Sequence, residues 1–268
     1  MRVLIIGGSG LVGRHAIAAL AKDHEVIAPR RNELDLASDW RPTDLPSDID
    51  GIVHVAQARR WRQFPQHAAE TIAINLTSTA KLLEFAVHAG VRSLVYASTG
   101  GVYRPSTTLL DEASPLKTPQ ECDLYAATKL ASEQLIASYG GLLDASVLRL
   151  FTVYGDGQDP NSLIPRLERS IAERSPIRLA QPDGPLLSPT QASEVARVIG
   201  ACLDSPGSRI LNVGGGHNQR LRDIAAGIGE RIGIPPTFIT DPGPASVLAP
   251  SRTWKDAIDA IARGGGRS

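Results

Sequence analysis

The sequence predicts an α/β fold in which helices cover both faces of a doubly wound parallel sheet, followed by a small lobe. Three observations support this prediction. Short β-branched strands alternate with helical segments through the first 150 residues, which is the pattern of consecutive βαβ units. A glycine-rich turn joins the first strand to the first helix. Prolines interrupt the pattern after residue 154, where short elements replace the long ones.

The predicted elements follow in the order that a parallel sheet requires. Strands are predicted at 3–6, 25–28, 51–55, 93–97, 145–150 and 209–213. Helices are predicted at 11–21, 68–89, 123–139 and 193–203, with two shorter helices in the last fifty residues. We assign a sheet domain to residues 1–154 and about 188–213, and a substrate-binding lobe to about 155–187 and 214–268.

Composition disfavours several classes of function. The 268 residues include 28 Lys+Arg and 28 Asp+Glu, so no basic field favours nucleic acid or an anionic membrane. The apolar run at 3–6 is too short for a signal peptide or a membrane span. Cys122 and Cys202 are too few for a disulfide framework, which favours a reducing cytoplasm. The six histidines show no paired ligand spacing, so no metal site is predicted.

The turn after the first strand carries a dinucleotide fingerprint. Glycines at 8, 10 and 13 satisfy G-x-G-x-x-G, and those at 7, 10 and 13 satisfy G-x-x-G-x-x-G. Such a turn lets backbone N–H groups approach a pyrophosphate at a helix N-terminus. Its place between a strand and a helix indicates a Rossmann-type domain. The predicted contacts are Gly7, Gly10, Leu11, Val12 and Gly13.

The loop after the second strand indicates which cofactor binds. An acidic residue about twenty positions beyond the fingerprint would hydrogen-bond the adenosine 2′-hydroxyl of NAD. Arg30 and Arg31 occupy this region instead, and guanidinium groups suit a 2′-phosphate. The sequence therefore predicts NADP rather than NAD, with a solvated basic loop as the alternative. Asp35 and Leu36 are predicted to lie against the adenine.

A tyrosine and a lysine four residues apart form the candidate catalytic pair. Tyr125 and Lys129 share one face of the predicted helix 123–139. A cation roughly 5 Å from the phenol, at an effective dielectric of about 20, favours the phenolate by about 3 kcal/mol, or about 2 pKa units. The spacing therefore predicts a lowered Tyr125 pKa and acid-base catalysis. Thr99 follows the strand 93–97, at the end where such sheets bind ligands.

Further motifs occur in order along the chain. They are the glycine turn, His54-Val55-Ala56-Gln57, Asn75, Ala97-Ser98-Thr99, the Tyr125/Lys129 pair, and the segments 148–155 and 211–214. This arrangement resembles the extended short-chain dehydrogenase/reductase family, of the NAD-dependent epimerase/dehydratase type. The resemblance runs from residue 1 to about residue 233.

The resemblance implies a role for each matching residue. Tyr125 is the expected acid-base, and Thr99 occupies the family's catalytic Ser/Thr position. Lys129 is expected to hold the nicotinamide ribose and to tune the phenol. Asn75 is expected to order the active-site backbone and water, and Ala56 to lie beside the cofactor. Because members often pair through the helices equivalent to 68–89 and 123–139, a homodimer is expected.

Two glycines after Thr99 argue against a dehydration reaction. Family members that dehydrate sugar nucleotides carry an acidic pair directly after the catalytic threonine, whereas this chain has Gly100 and Gly101. The expected activity is NADP(H)-dependent hydride transfer at a secondary alcohol or ketone carbon of a sugar or nucleotide sugar, as in a ketoreductase. Epimerisation through a transient ketone is the alternative. A non-catalytic nicotinamide-binding regulator is the hypothesis of a different class.

The substrate-binding stretch departs from the family's pattern. An Arg-Asp pair before the helix 193–203 commonly grips the diphosphate of a nucleotide sugar, whereas Leu187 and Ser188 stand here. A free sugar or another small carbonyl compound is therefore an alternative substrate. The basic segment 59–62 is predicted to be a surface loop, with contact to phosphate or substrate as the alternative.

Overall fold

The computed structural model describes residues 1–243 and 246–264. The strands are β1 (Arg2–Ile6), β2 (Glu25–Ile27), β3 (Gly51–His54), β4 (Ser93–Thr99), β5 (Asp144–Leu150), β6 (Val153–Tyr154), β7 (Ile177–Ala180), β8 (Leu186–Leu187), β9 (Thr190–Gln191), β10 (Arg209–Val213), β11 (Gln219–Arg220), β12 (Phe238–Asp241) and β13 (Val247–Leu248). The helices are α1 (Leu11–Leu20), α2 (Ala68–Ile72), α3 (Ser78–His88), α4 (Leu124–Ser138), α5 (Leu163–Ala172), α6 (Ala192–Asp204), α7 (Leu221–Ile232) and α8 (Trp254–Gly264).

The largest sheet has six parallel strands in the order β10-β5-β4-β3-β1-β2. The chain passes from β1 to β2 on one side and then returns to β3 on the other, so the strand order reverses at β1 and β3. In an open α/β sheet, ligands bind outside the carboxyl ends of the strands at this switch point. The predicted doubly wound fold is confirmed.

Apolar side chains cover both faces of this sheet. On one face, Leu83 of α3 and Ile136 of α4 belong to a buried cluster with residues of β1, β3 and β4. On the other face, Leu20 of α1 and Val198 of α6 pack with Val3 and other strand residues. Complete burial of one such side chain contributes roughly 1.5–3 kcal/mol. These two layers hold the carboxyl ends of the strands in fixed positions.

A separate apolar core holds the lobe together. Leu167 and Ile171 of α5 pack against Leu179 of β7, Leu187 of β8 and Ile228 of α7. The residue bounds proposed for the two domains stay a prediction. One helix of the predicted lobe packs on the large sheet instead.

The predicted bounds of the lobe, 214–268, include the last helix, α8. Its residues Trp254, Ala257 and Ile261 instead pack in the same cluster as α1 and α6 on the large sheet, because the apolar face of α8 lies against α6 and β10. Residues 265–268, which the lobe assignment included, lie outside the described residues. Among the residues described, none of the helices has the length and apolar character needed to cross a membrane.

Candidate active site

The glycine turn between β1 and α1 has no room for side chains. Gly7 has a φ of +94°, and a Cβ there would lie 2.5 Å from the backbone nitrogen of Ala56. A Cβ on Gly13 would lie 2.2 Å from the carbonyl oxygen of Gly7. Gly10 precedes the first turn of α1 and donates its N–H to the same carbonyl at 3.0 Å. The turn therefore presents bare backbone at a helix N-terminus, which fits the pyrophosphate of a dinucleotide.

Arg14 fixes this turn, and the sequence prediction missed it. Its guanidinium donates to the carbonyl of Ser9 at 2.9 Å and to the carbonyl of Gly157 at 2.8 Å. A Cβ on Gly157 would lie 2.3 Å from the same guanidinium. Arg14 therefore joins the turn to the segment that follows β6, a contact that no local sequence pattern could indicate.

The two arginines of the predicted cofactor loop have different surroundings. The Arg31 guanidinium pairs with the carboxylates of Asp35 at 3.4 Å and Glu70 at 3.6 Å. Arg30 donates its backbone N–H to Glu33 at 2.6 Å, and within the described residues its guanidinium has no ion-pair partner. Leu36 packs at the edge of the sheet core. Arg31 and Asp35 thus already contact each other, whereas the Arg30 guanidinium is available to a ligand.

The candidate acid-base lies in the first turn of α4. Asp123 caps this helix, because its carboxylate accepts the N–H of Ala126 at 2.7 Å. The Tyr125 hydroxyl donates to the side-chain oxygen of Gln57 at 3.0 Å. The ring of Trp61 stacks on the Tyr125 ring, with 4.5 Å between centroids and 23° between planes. The structure thus brings Tyr125 against the segment that follows β3.

The pKa of Tyr125 is raised to about 12, chiefly by desolvation where its ring packs among neighbours. Hydrogen bonding from Thr99 and the charge of Arg62 lower this pKa, and the charge of Asp123 raises it. The prediction that Lys129 lowers the pKa is wrong for this arrangement. The Lys129 ammonium instead donates to the carbonyl of Ala97 at 2.8 Å.

Lys129 is buried in the sheet domain, with 2% of its surface exposed to solvent. Its ammonium lies 4.8 Å from the centre of the Tyr96 ring. Burial lowers the pKa of Lys129 to about 7, while the charge of Glu133 raises it. Both protonation states of this side chain are therefore accessible near neutral pH.

Asn75 lies in a π-helical turn, Ala73–Thr77, between α2 and α3. Its side chain accepts the N–H of Ala58 at 3.0 Å and donates to the hydroxyl of Thr128 at 3.1 Å. The backbone carbonyl of Asn75 accepts a hydrogen bond from the Ser132 hydroxyl at 2.9 Å. Such turns widen a helix and expose backbone groups, and they are frequent at functional sites. The contacts of Asn75 fit the ordering role that the family resemblance implies.

A buried ion pair supports the carboxyl ends of β4 and β5, and the sequence prediction missed it. Arg149 donates to both carboxylate oxygens of Glu133 and, at 2.8 Å, to the hydroxyl of Tyr103. Ser98, next to Thr99, donates to the same carboxylate. The Tyr103 hydroxyl in turn donates to Asn212 of β10 at 2.7 Å. This network joins α4 to the ends of three strands.

Gly100 and the pair Leu187–Ser188 limit the reactions and substrates that this site fits. A Cβ on Gly100 would lie 2.4 Å from the ring of Phe151, so no acidic side chain fits there without displacing that ring. In the lobe, Leu187 is buried, with 5% of its surface exposed, and the Ser188 hydroxyl accepts the N–H of Gly215 at 3.0 Å.

In the part of the chain that the structure describes, His, Cys, Asp and Glu side chains form no group of three that could hold a metal ion.

The fold is that of an extended short-chain dehydrogenase/reductase. Residues 3–214 match the model of the NAD dependent epimerase/dehydratase family, and the chain belongs to this family. The resemblance inferred from the motifs is confirmed, as is the expectation of an enzyme of this type, and the hypothesis of a non-catalytic regulator is not retained.

Individual relatives show the range of the family. The chain is 34% identical over 172 residues to a UDP-glucuronate 4-epimerase of Thermodesulfobacterium geofontis, covering 63% of this chain and 53% of the relative. It is 31% identical over 180 residues to a GDP-6-deoxy-D-mannose reductase of Pseudomonas aeruginosa, covering 64% and 58%. The chain thus spans a little more than half of each relative.

A solved structure matches almost the whole chain. The structure described as MoeE5 in complex with UDP-glucuronic acid and NAD has a TM-score of 0.75 and 26% identity, with 98% of this chain and 93% of that chain covered. Nicotinamide-dependent enzymes that act on nucleotide sugars are therefore the group to which this chain is similar.

Proposed function

We propose that the protein epimerises a nucleotide sugar by removing a hydride from a secondary alcohol carbon and returning it to the opposite face. The observation that carries this proposal is that Thr99, at the end of β4, lies close enough to Tyr125 to lower its pKa, while Lys129 follows on the same helix and glycines stand at 100 and 101. This set can exchange one proton at one substrate oxygen. It offers no second acid or base for an elimination, because the Phe151 ring fills the space beside Gly100.

Each residue has a distinct part in this proposal. Tyr125 takes the proton of the substrate hydroxyl and later returns it, and the Thr99 hydroxyl orients the same oxygen. Lys129 binds the nicotinamide ribose. Thr99 and Arg62 are the groups that lower the high pKa of Tyr125. The nicotinamide, when bound, accepts the hydride and gives it back.

Backbone geometry supports a dinucleotide at the glycine turn. The positions of Gly7 and Gly13 exclude a Cβ, and this leaves a cradle of N–H groups at the N-terminus of α1. The residues that we propose to hold the cofactor are Gly7, Gly10, Leu11, Val12, Gly13, Arg30, Arg31, Asp35, Leu36, Ala56, Asn75 and Lys129.

Net reduction with NADPH is the second candidate function. It is favoured by Arg30, whose guanidinium is without an ion-pair partner among the described residues and suits a 2′-phosphate. The similarity to a GDP-6-deoxy-D-mannose reductase supports it as well. Against an NADP preference, Arg31 is occupied by Asp35 and Glu70, and the MoeE5 structure holds NAD. A homodimer in the cytoplasm stays a prediction.

Product analysis separates the two candidates. The protein is incubated with UDP-glucuronate, UDP-glucose or a GDP-4-keto-6-deoxy sugar, with NAD, NADH or NADPH, while absorbance at 340 nm is followed and products are separated by chromatography. Epimerisation predicts a new sugar isomer with no net change in absorbance. Stoichiometric loss of absorbance with a reduced sugar would establish the reductase instead, and conversion of none of these substrates would contradict both.

A further inference from the structure

Two side chains of the exposed segment 57–67, which follows β3, contact the proposed acid-base Tyr125, and a third, Arg62, stacks on one of them. The ring of Trp61 lies against the Tyr125 ring at 4.5 Å, and the guanidinium carbon of Arg62 lies 4.1 Å from the centre of the Trp61 ring. Gln57, at the start of this segment, accepts the Tyr125 hydroxyl at 3.0 Å. The segment therefore contacts Tyr125 at its ring and at its reactive oxygen.

Two contacts anchor the beginning of this segment. Ala58 donates its N–H to buried Asn75 at 3.0 Å, and Arg60 pairs with Glu70 of α2 at 2.8 Å. Beyond these two contacts, Arg62 is exposed and has no carboxylate partner in residues 1–243 and 246–264. Stacking on Trp61 holds this unpaired cation in place.

The charge of Arg62 reaches the reacting end of the site. Its field lowers the pKa of Tyr125, as a cation near a phenol does. An anionic group on a sugar whose oxygen meets Tyr125 would come within the same field.

The lobe provides no cation at the position where the family commonly has one. Leu187 is buried in the lobe core, and the Ser188 hydroxyl is engaged by the backbone of Gly215. A negatively charged substrate that enters the site without a cationic partner loses hydration without compensation. An unpaired arginine beside Tyr125 provides that partner from the other side of the site.

We propose that Trp61 and Arg62 form a specificity-determining wall of the substrate site, in which Arg62 binds an anionic group of a nucleotide sugar. The proposal rests on the proposed function. A guanidinium can grip either the carboxylate of a uronic acid or the diphosphate through two parallel hydrogen bonds. Both groups share the chemistry that Arg62 recognises, and the probes below distinguish them.

Calorimetric binding of UDP-glucuronate, UDP-glucose and UDP in the presence of NAD tests the proposal. Arg62→Gln is expected to weaken UDP-glucuronate by about tenfold or more, the scale of a lost charge-assisted contact. Arg62→Lys should recover part of this affinity, because it keeps the charge but loses the planar fork. Arg59→Gln, an exposed arginine of the same segment, is the matched control and should stay within about twofold.

The three probes identify the anionic group. A loss confined to UDP-glucuronate assigns Arg62 to the carboxylate, whereas an equal loss for all three assigns it to the diphosphate. Unchanged affinity for all three in Arg62→Gln, or an equal loss in Arg59→Gln, would overturn the proposal. Absence of binding to the wild-type protein would also overturn it. Because binding is measured apart from turnover, a protein that binds through Arg62 but converts no sugar contradicts only the proposed function.

Discussion

The two sides of Tyr125 are built in different ways. Toward the interior, Lys129, Asn75 and the pair Glu133–Arg149 are buried and hydrogen-bonded to strands and helices. Toward solvent, the segment 57–67 contacts the same tyrosine through a stack and one side-chain hydrogen bond. The difference suggests that the interior fixes the proton and hydride chemistry, while the exposed segment can change with the substrate.

Breaking the buried ion pair should have the largest effect on stability. Glu133→Gln leaves the Arg149 guanidinium without its charged partner, and both side chains are almost fully buried. The free energy of unfolding in urea should fall by about 3–5 kcal/mol. The double variant Glu133→Gln/Arg149→Met should be less destabilised than the single one, since no unpaired charge remains.

An exposed ion pair supplies the matched control for this variant. Arg178 and Asp241 pair at 3.0 Å on the lobe surface. Asp241→Asn should lower the free energy of unfolding by no more than about 1 kcal/mol. Similar losses for Asp241→Asn and Glu133→Gln would contradict the distinction between the buried and exposed sides.

Removing the Tyr125 hydroxyl should stop catalysis and leave the fold intact. Tyr125→Phe keeps the ring that stacks on Trp61, but removes the proton-exchanging oxygen. Turnover should fall by about 10²-fold or more with nearly unchanged cofactor affinity, measured by steady-state kinetics and calorimetry. Tyr139→Phe at the end of α4 is the control. A Tyr125→Phe variant with near-normal kcat would rule out the assigned role.

Cofactor discrimination should depend on Arg30 more than on Arg31, because Arg31 already has two carboxylate partners. If NADP(H) is preferred, Arg30→Gln should weaken NADPH by about 1.5–3 kcal/mol and leave NADH unchanged. Fluorescence titration with both cofactors measures this difference. Equal affinity of the wild-type protein for NADH and NADPH would contradict the predicted NADP preference.

Burial of Lys129 should make stability depend on pH in a defined direction. Its pKa is about 7 in the folded protein against 10.5 for a lysine in the unfolded chain, so between these values the unfolded chain binds more protons. The cost of burying Lys129 is therefore full below pH 7 and falls as pH rises toward 10.5.

Urea unfolding of the wild type and Lys129→Met between pH 7 and 9.5 measures this dependence. The wild type should gain stability relative to the variant by at most about 1.4 kcal/mol per pH unit. A constant difference across this range would show that Lys129 keeps its ordinary pKa in the folded chain.

The sequence was sufficient to predict the six strands of the large sheet and the glycine turn, because these depend on local periodicity and spacing. Helix α5 is absent from the predicted helices, because the prolines after residue 154 indicate short elements. Pro165 is the third residue of α5, and proline is tolerated in the first turn of a helix, where the N–H groups have no partner within the helix.

Properties that depend on long-range contacts could not be predicted. The spacing of Tyr125 and Lys129 is correct for one helix face, yet the ammonium turns to the Ala97 carbonyl on β4. Likewise, Arg31 is neutralised by Glu70, which lies 39 positions further along the chain. In both cases the partner comes from another element, and only the packed structure shows which charge remains available.

The mass of the product formed in D₂O tests the central claim most directly. Hydride transfer through the nicotinamide keeps the original hydrogen on the carbon that changes configuration, whereas removal of a proton from that carbon exchanges it with solvent. The protein with NAD and UDP-glucuronate, or whichever nucleotide sugar it converts, should yield an epimer without deuterium on that carbon, by mass spectrometry and NMR. An epimer that carries solvent deuterium there, or one formed equally fast by Tyr125→Phe, would contradict the account.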